Sequence, residues 1–275
     1  MIRQIIEKGL SLFGYNIIKD NPIISKFHCS DIDYIPSKLQ DTIRELSRSY
    51  SKYVFNNSIN IDENECILLS RLIGTSVGEA LYIIKSIQEC KEYKGDICEF
   101  GVAQGATSAL MAYEIQDTDK NIWLYDSFEG LPAPTEKDNL KDDIFGLGSI
   151  GEYKGTMSCE KMQVERRLSE ISFPSRRTKI IKGFIEETIS NKNNYPKNVC
   201  FAYVDFDFYR PILVALEFLD QHLSTGGIII VDDYDFFSTG VKIAVDEFIS
   251  SHNGCYSIKI PDEISAKCCI LKKID

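Results

Sequence analysis

The sequence has 275 residues, of which 44% are hydrophobic, and its 41 acidic and 31 basic side chains give a formal net charge of −10 at pH 7. A chain of this size can bury one large core, and its negative charge disfavours binding to nucleic acid or to anionic membranes. No apolar stretch approaches the roughly 18 residues that cross a bilayer, and charges interrupt residues 1–10, so we expect a cytoplasmic protein without a signal peptide. The nine cysteines form no C-x-x-C pair, which predicts reduced thiols.

Residues 1–61 are expected to form a helical region that caps the fold or provides a homodimer contact, and residues 62–275 are expected to form the main domain. Two apolar stripes at helical spacing support this expectation. They comprise Ile2, Ile5, Ile6 and Leu10, and then Leu39, Ile43, Leu46, Tyr50 and Tyr53. Asp62, with Glu65 three residues later, predicts a helix cap that opens the segment 66–89, which is interrupted near residues 74–78.

From Gly95 onward, short apolar runs alternate with helical patterns, which predicts an α/β fold with a mostly parallel sheet. The seven expected strands are residues 96–101, 121–126, 178–182, 199–206, 227–232, 255–260 and 266–272. The five expected helices between them are residues 106–116, 158–171, 184–190, 209–223 and 241–252. Too few residues separate the last two strands for a crossover helix, so the final strand is expected to run antiparallel in a hairpin.

Two of the predicted strands end in acidic residues. Asp232 and Asp233 follow one apolar run, while Asp205 and Asp207 end another. The carboxyl ends of parallel strands meet at the edge of the sheet where ligands bind. Carboxylates crowded in an apolar setting repel one another and lose hydration, so they require a shared proton or a hard cation. Oxygen ligands without nearby His or Cys favour Mg²⁺ over Zn²⁺.

The first strand of the predicted sheet leads into a glycine turn that begins at Glu99 and contains Gly101 and Gly105. Bare backbone at such a turn permits close approach of a ligand, and a helix amino terminus favours anionic groups. The spacing E-x-G-x-x-x-G differs from the G-x-G-x-x-G of dinucleotide binders. Asp126 ends the second strand, where a carboxylate can bind both ribose hydroxyls, so a ligand with an adenosyl ribose is expected, with a turn cap as the alternative.

Five motifs resemble the macrocin O-methyltransferase family, whose members use S-adenosylmethionine to methylate sugar hydroxyls of antibiotics and include the novobiocin sugar methyltransferases. The motifs are GDICEFGV from Gly95, YDSFEGLP from Tyr125, KGFIEET from Lys182, YVDFDFY from Tyr203 and GGIIIVDDY from Gly226. The resemblance covers about residues 62–275 and implies a class I methyltransferase (Rossmann-like) domain there, with a seven-stranded sheet, an antiparallel last strand and additional amino-terminal helices. The chain has Ala103-Gln-Gly-Ala106 where the family commonly has Trp-Arg-Gly-Gly, and its first sixty residues match no family segment.

The resemblance also implies roles for individual residues. S-adenosylmethionine would contact Glu99, Gly101, Ser108, Asp126, Ser127, Gly183, Phe184 and Asp205. Of these, Glu99 and Gly101 would lie against the methionine part, Asp126 against the ribose, and Gly183 with Phe184 near the adenine. Mg²⁺ or another hard divalent cation would bind Asp205, Asp232 and Asp233. Asp207 would be the catalytic base, and Asp205 is also assigned to catalysis.

The acceptor is left open by the residues. A sugar hydroxyl of a secondary metabolite or cell-surface glycan is the leading prediction, and a catechol-like phenol is the first alternative. An NAD(P)-binding oxidoreductase or a non-catalytic nucleotide-binding module is the second. Residues 131–155 follow the ribose acid and are expected to form a lid or a disordered segment. Arg210 is interpreted as a surface cation, with a substrate phosphate contact as the alternative, and His28, His222 and His252 are interpreted as structural.

Overall fold

The protein is described by a computed structural model that covers residues 37–262 and 266–274. Within these ranges the seven strands form one sheet in the order β3-β2-β1-β4-β5-β7-β6. The strands are β1 (Asp96–Phe100), β2 (Ile122–Asp126), β3 (Thr178–Lys182), β4 (Val199–Val204), β5 (Leu223–Val231), β6 (Tyr256–Lys259) and β7 (Cys269–Lys273). Strands β1 to β5 are mutually parallel, whereas β7 runs antiparallel to both β5 and β6. The predicted sheet and its reversed last strand are therefore confirmed.

Helices lie before the sheet and between its strands. In chain order they are α1 (Ser37–Tyr53), α2 (Glu63–Leu69), α3 (Val77–Cys90), α4 (Ala106–Glu114), α5 (Lys161–Glu170), α6 (Ile185–Thr188), α7 (Tyr209–His222) and α8 (Thr239–Ser251), with short 3₁₀ turns at Ile150–Tyr153, Ser175–Arg177 and Lys192–Asn194. Asp62 and Glu65 form the predicted capping box at the start of α2. None of the described helices is long and apolar enough to cross a membrane.

Side chains of the strands alternate between two apolar clusters, one on each face of the sheet. In β1, Ile97 packs in the cluster that contains α1 to α5, whereas Cys98 packs in the cluster that contains α6 to α8. All six residues of β4 are buried, as expected for a central strand that helices cover on both faces. The sheet is thus the middle layer of three, and only its edges are open to ligands.

Two strand boundaries differ from the sequence prediction by three residues or more. Strand β5 begins at Leu223, four residues early, because this residue already pairs with Val199 before the ladder shifts and continues at Ile228. Strand β7 begins at Cys269, three residues late, because the amide of Ala266 donates to the Asp262 carbonyl rather than to a neighbouring strand.

The amino-terminal region is described only from Ser37, so the first apolar stripe and His28 lie outside the described residues. In α1, Ile43 is buried in the main core, whereas Leu39, Leu46 and Tyr53 are exposed. The division of the chain at residue 61 and the homodimer contact stay predictions.

The segment 131–155 is a loop that packs in an apolar cluster, and its role as a lid stays a prediction. That cluster consists of Leu131, Tyr153, Phe208 and Phe237. The Tyr153 hydroxyl donates to Asp143 Oδ1 at 2.7 Å, and Leu140 forms a β-bridge with Ser238. The loop is therefore fastened to the segments that follow β4 and β5.

A buried acid pair joins α2 to α4. The Glu114 carboxyl group is hydrogen-bonded to that of Glu65 and accepts from Gln88 Nε2 at 3.2 Å. Burial, and then the Glu65 carboxyl, raise the pKa of Glu114 from 4.5 to about 9. Because the folded pKa is the higher one, the stabilisation is complete below about pH 4.5 and is lost as the pH rises towards 9.

We therefore expect Glu114→Gln to stabilise the protein at pH 8. The amide keeps the hydrogen bonds without needing a proton, and since one pKa unit is worth about 1.4 kcal/mol, the gain is on the order of 2 kcal/mol. Urea unfolding at pH 4.5 and pH 8 measures it, with the exposed Glu92→Gln as control. A variant that is less stable than the wild type at pH 8 would show that the pair is not held by a shared proton.

Candidate active site

The carboxyl ends of the five parallel strands form one edge of the sheet, and the backbone ladder continues one step beyond them. The amides of Gly183, Gly101, Asp205 and Asp232 each donate to a carbonyl of the neighbouring strand at 2.7 to 2.9 Å. These bonds place the four residues, together with Asp126, in a row along this edge. The motifs that lie far apart in the sequence are thus brought together by ordinary sheet hydrogen bonding.

A cavity of about 640 Å³ opens over this edge. Its lining includes nine of the eleven site residues predicted from the sequence: Gly101, Asp126, Ser127, Gly183, Phe184, Asp205, Asp207, Asp232 and Asp233. The opposite wall is mainly apolar and comes from the loop after β2, including Ile144, Phe145 and Leu147, and from Phe236.

Glu99 and Ser108 are the two predicted site residues that do not line the cavity. The Ser108 hydroxyl donates to the Glu99 carboxylate, and both side chains are almost fully buried beneath the glycine turn. Burial raises the pKa of Glu99 to about 8, while the Ser108 hydrogen bond opposes the shift. The pair supports the turn from below, and its contact with a cofactor stays a prediction.

Asp126 faces the cavity and also holds the glycine turn. Its Oδ2 accepts from the amides of Val102 and Ala103 at 2.8 and 2.9 Å, and its Oδ1 accepts from the Phe128 amide at 2.6 Å. Burial raises the pKa of this carboxyl group although the three amides act in the opposite direction. Asp126 therefore caps the turn and also lines the cavity, and its contact with a ribose stays a prediction.

Four aspartates form an acidic cluster at the other side of the cavity. Burial raises the pKa of Asp205, Asp207 and Asp233, and the Asp232 carboxylate raises all three further. The Asp207 and Asp233 carboxyl groups are hydrogen-bonded to each other. Both residues have left-handed backbone, with φ of 61° and 53°, a conformation that costs energy in non-glycine residues and is concentrated at functional sites.

Within residues 37–262 and 266–274, no three His, Cys, Asp or Glu side chains are already arranged as a metal site. The Asp232 carboxylate accepts hydrogen bonds at both oxygens: Oδ2 accepts from the Tyr203 hydroxyl at 2.6 Å and Oδ1 from the Asp233 amide at 2.7 Å. The magnesium prediction therefore stays a prediction.

Glu79 and Tyr203 contact Asp232 of the acidic cluster but were not predicted as site residues. Glu79 is 3% exposed, and its carboxyl group is hydrogen-bonded to Asp232 and lies 3.4 Å from the Tyr203 hydroxyl. Burial, and then Asp232, hold the pKa of Glu79 well above its usual range. The sequence Ser76-x-x-Glu79 is typical of a helix cap, and Ser76 Oγ does accept from the Glu79 amide at 3.1 Å. An acid within the otherwise apolar face of α3 was the available signal.

Arg210, His222 and His252 do not line the cavity. Arg210 is exposed. His222 and His252 each bond through Nδ1 to a backbone carbonyl of their own helix, at 2.8 and 2.9 Å. Their interpretation as structural residues agrees with these contacts.

Solved structures share this fold. The O-methyltransferase NovP has a TM-score of 0.64 at 18% identity, covering 86% of this chain and 100% of that one. The calicheamicin methyltransferase CalS11 has a TM-score of 0.58 at 18% identity, covering 93% and 98%. An O-methyltransferase from Bacillus cereus in complex with SAH has a TM-score of 0.54 at 11% identity, covering 86% and 100%. The predicted class I methyltransferase fold is confirmed.

Curated relatives match by sequence as well. One is the 8-demethyl-8-(2,3-dimethoxy-alpha-L-rhamnosyl)-tetracenomycin-C 4'-O-methyltransferase of Streptomyces olivaceus, 27% identical over 61% of this chain and 61% of its own length. Another is the mycinamicin III 3''-O-methyltransferase of Micromonospora griseorubida, 26% identical over 66% and 70%. A third is the demethyldecarbamoylnovobiocin O-methyltransferase of Streptomyces niveus, 25% identical over 60% and 64%. Two of these three relatives are thus matched over less than two thirds of their length.

The sequence model of the macrocin O-methyltransferase (TylF) family matches residues 79–266. This range begins at the buried Glu79, contains strands β1 to β6 and ends just before β7, so it includes every residue of the acidic cluster and the glycine turn. Because the match covers well over half of the chain, the protein belongs to the macrocin O-methyltransferase family.

Proposed function

We propose that the protein is an S-adenosylmethionine- and Mg²⁺-dependent O-methyltransferase that methylates a sugar hydroxyl of a secondary metabolite or a cell-surface glycan. One observation carries this proposal: the glycine turn with Asp126 and the acidic cluster lie on two sides of the same cavity. Family membership supports methyl transfer as the reaction. The names of the tetracenomycin and mycinamicin relatives support a sugar hydroxyl as the acceptor.

The end of the cavity at β1, β2 and β3 fits S-adenosylmethionine. Gly101 has φ 91° and Gly183 has φ 136°, so both leave bare backbone that a ligand can approach closely. Asp126 offers a carboxylate to ribose hydroxyls, while Ser127 and Phe184 line the adjoining wall. When bound, the cofactor supplies a methyl group on a positively charged sulfur, which needs no further activation by the protein.

The end at β4 and β5 fits a hard divalent cation. Its lining offers carboxylate oxygens, the ligands that such ions prefer, and burial together with the Asp232 carboxylate raises the pKa of Asp205 and of Asp233. Asp205, Asp232 and Asp233 would hold the ion. When bound, Mg²⁺ supplies Lewis acidity, which lowers the pKa of hydroxyl groups.

The chain's own residues then orient the acceptor and accept its proton. A sugar hydroxyl is a poor nucleophile at neutral pH because it keeps its proton, and Asp207 faces the cavity where its carboxylate can accept that proton. The cavity walls hold the acceptor in place and exclude water, and correct orientation of two reactants can contribute on the order of 7 kcal/mol.

Methyl transfer from radiolabelled S-adenosylmethionine to a panel of acceptors tests the reaction. The panel consists of mycinamicin III, demethyldecarbamoylnovobiocin, TDP-rhamnose, catechol and a simple rhamnoside. We expect label in at least one sugar compound, none in catechol, and calorimetric binding of S-adenosylmethionine but not of NAD. If catechol alone were methylated, the acceptor would be a phenol and not a sugar. Binding of NAD alone would contradict the methyltransferase proposal.

Two variants separate metal binding from proton transfer. Asp232→Asn is expected to weaken Mg²⁺ binding roughly tenfold or more, because a charged ligand is lost. Asp207→Asn is expected to lower turnover by about 100-fold or more, because the base is lost, while Mg²⁺ affinity stays the same. Calorimetric titration with Mg²⁺ and turnover before and after EDTA treatment measure both effects, with the exposed Asp142→Asn as control. Full activity in EDTA would show that the metal is not needed.

A further inference from the structure

The backbone that presents Asp207 is a tight three-residue turn. The Phe208 amide donates to the Phe206 carbonyl at 2.6 Å, and Asp207 between them has φ 61°. Turns of this kind with positive φ are rare and strained, and they persist only where the surroundings determine the conformation. The direction of the Asp207 carboxylate therefore depends on what holds the two ends of the turn.

Two buried side chains hold the carboxyl-terminal side of this turn. Ser238 Oγ donates to the Asp207 carbonyl at 2.8 Å, and Asp138 Oδ1 accepts from the Tyr209 amide at 2.7 Å. Ser238 is 0% exposed and Asp138 is 3% exposed. Neither residue lines the cavity, so we expect neither to touch a ligand there directly.

Asp138 belongs to the loop that forms the apolar wall of the cavity. Its second oxygen, Oδ2, accepts from the amide and the hydroxyl of Thr135, each at 2.7 Å. The neighbouring Lys137 Nζ donates to the Tyr209 hydroxyl at 2.7 Å. The Asp138 carboxylate thus binds the loop with Oδ2 and the turn that carries Asp207 with Oδ1.

The contact is also tightly packed. Gly240, in the first turn of α8, lies so close that an added Cβ would be 1.8 Å from Asp138 Oδ1 and 2.8 Å from the Tyr209 nitrogen. The start of α7, the start of α8 and the loop therefore meet at this carboxylate, and there is no room for it to adopt another position.

We propose that Asp138 is a positioning residue for Asp207. Together with Ser238 it holds the strained turn, and it couples the position of the cavity loop to the direction of the carboxylate that accepts the acceptor's proton. This inference rests on the proposed role of Asp207 as base. It assigns a function in the reaction to a residue outside the cavity, in a segment that otherwise serves only as a wall.

Two variants of Asp138 and one of Gly240 test this role. Asp138→Ala removes the acceptor for the Tyr209 amide, and we expect kcat to fall by about 10- to 100-fold, the effect of misplacing a reacting group by an ångström. The KM for both substrates should change by less than about threefold, because no cavity contact is lost. Asp138→Asn keeps an oxygen for the Tyr209 amide and should restore kcat to within about threefold of the wild type. Gly240→Ala should lower kcat as well, although alanine favours the helix.

Thr135→Val is the matched control, since it removes one hydrogen bond from Asp138 Oδ2 and leaves the bond to Tyr209. It should lower the melting temperature without changing kcat, measured with the acceptor that the panel identifies. If Asp138→Ala leaves kcat unchanged, or if Thr135→Val lowers it equally, Asp138 only fastens the loop.

Hydrogen exchange measured by mass spectrometry gives a readout that needs no acceptor. In Asp138→Ala, the peptide containing residues 206–212 should exchange faster than in Thr135→Val, because the Tyr209 amide has lost its partner. Equal exchange of this peptide in the two variants would overturn the proposal even if no methyl acceptor were found. A change in exchange together with failure of every acceptor would count against the proposed function and not against the contact.

Discussion

The close approach of β1 to the end of β4 is the constraint on which the site depends. At Gly101 an added Cβ would lie 1.8 Å from the Asp205 carbonyl oxygen, so a side chain there would force the two strand ends apart. With glycine in place, the Asp205 amide reaches the Phe100 carbonyl at 2.7 Å and the next strand continues the ladder to Asp232. One missing methyl group thus keeps the glycine turn and the acidic cluster on a common edge.

The acidic cluster is costly for the fold, and its surroundings show how that cost is limited. Buried carboxylates that repel one another stay protonated or share hydrogen bonds, as the raised pKa values and the Asp207–Asp233 pair indicate. The Tyr203 hydroxyl stabilises the Asp232 carboxylate with a bond of 2.6 Å. Left-handed backbone at Asp207 and Asp233 adds strain. Such a site favours ligand binding at the expense of the stability of the fold.

The sheet could be predicted from the sequence because its strands are short apolar runs bounded by turn and loop residues. The acids at 205, 207, 232 and 233 could be predicted for the same reason, since each follows such a run and parallel strands end at one edge. Other features could not be predicted. Glu79 stands at the third position of a helix behind a serine, where it is expected to serve as a cap. Asp138 lies 69 residues before Asp207 in the chain, in a loop without periodicity, and only the folded chain brings them together.

Glu79 also connects the acidic cluster to helix α3. It extends from α3 and contacts Asp232 and Tyr203 on the side of the sheet that α3 covers. Burial, and then the Asp232 carboxylate, disfavour the charged form of Glu79 and hold its pKa well above the usual range. The electrostatics of the acidic cluster therefore depend in part on a residue of α3 that interacts with Asp232, Asp205 and Asp233 but does not line the cavity.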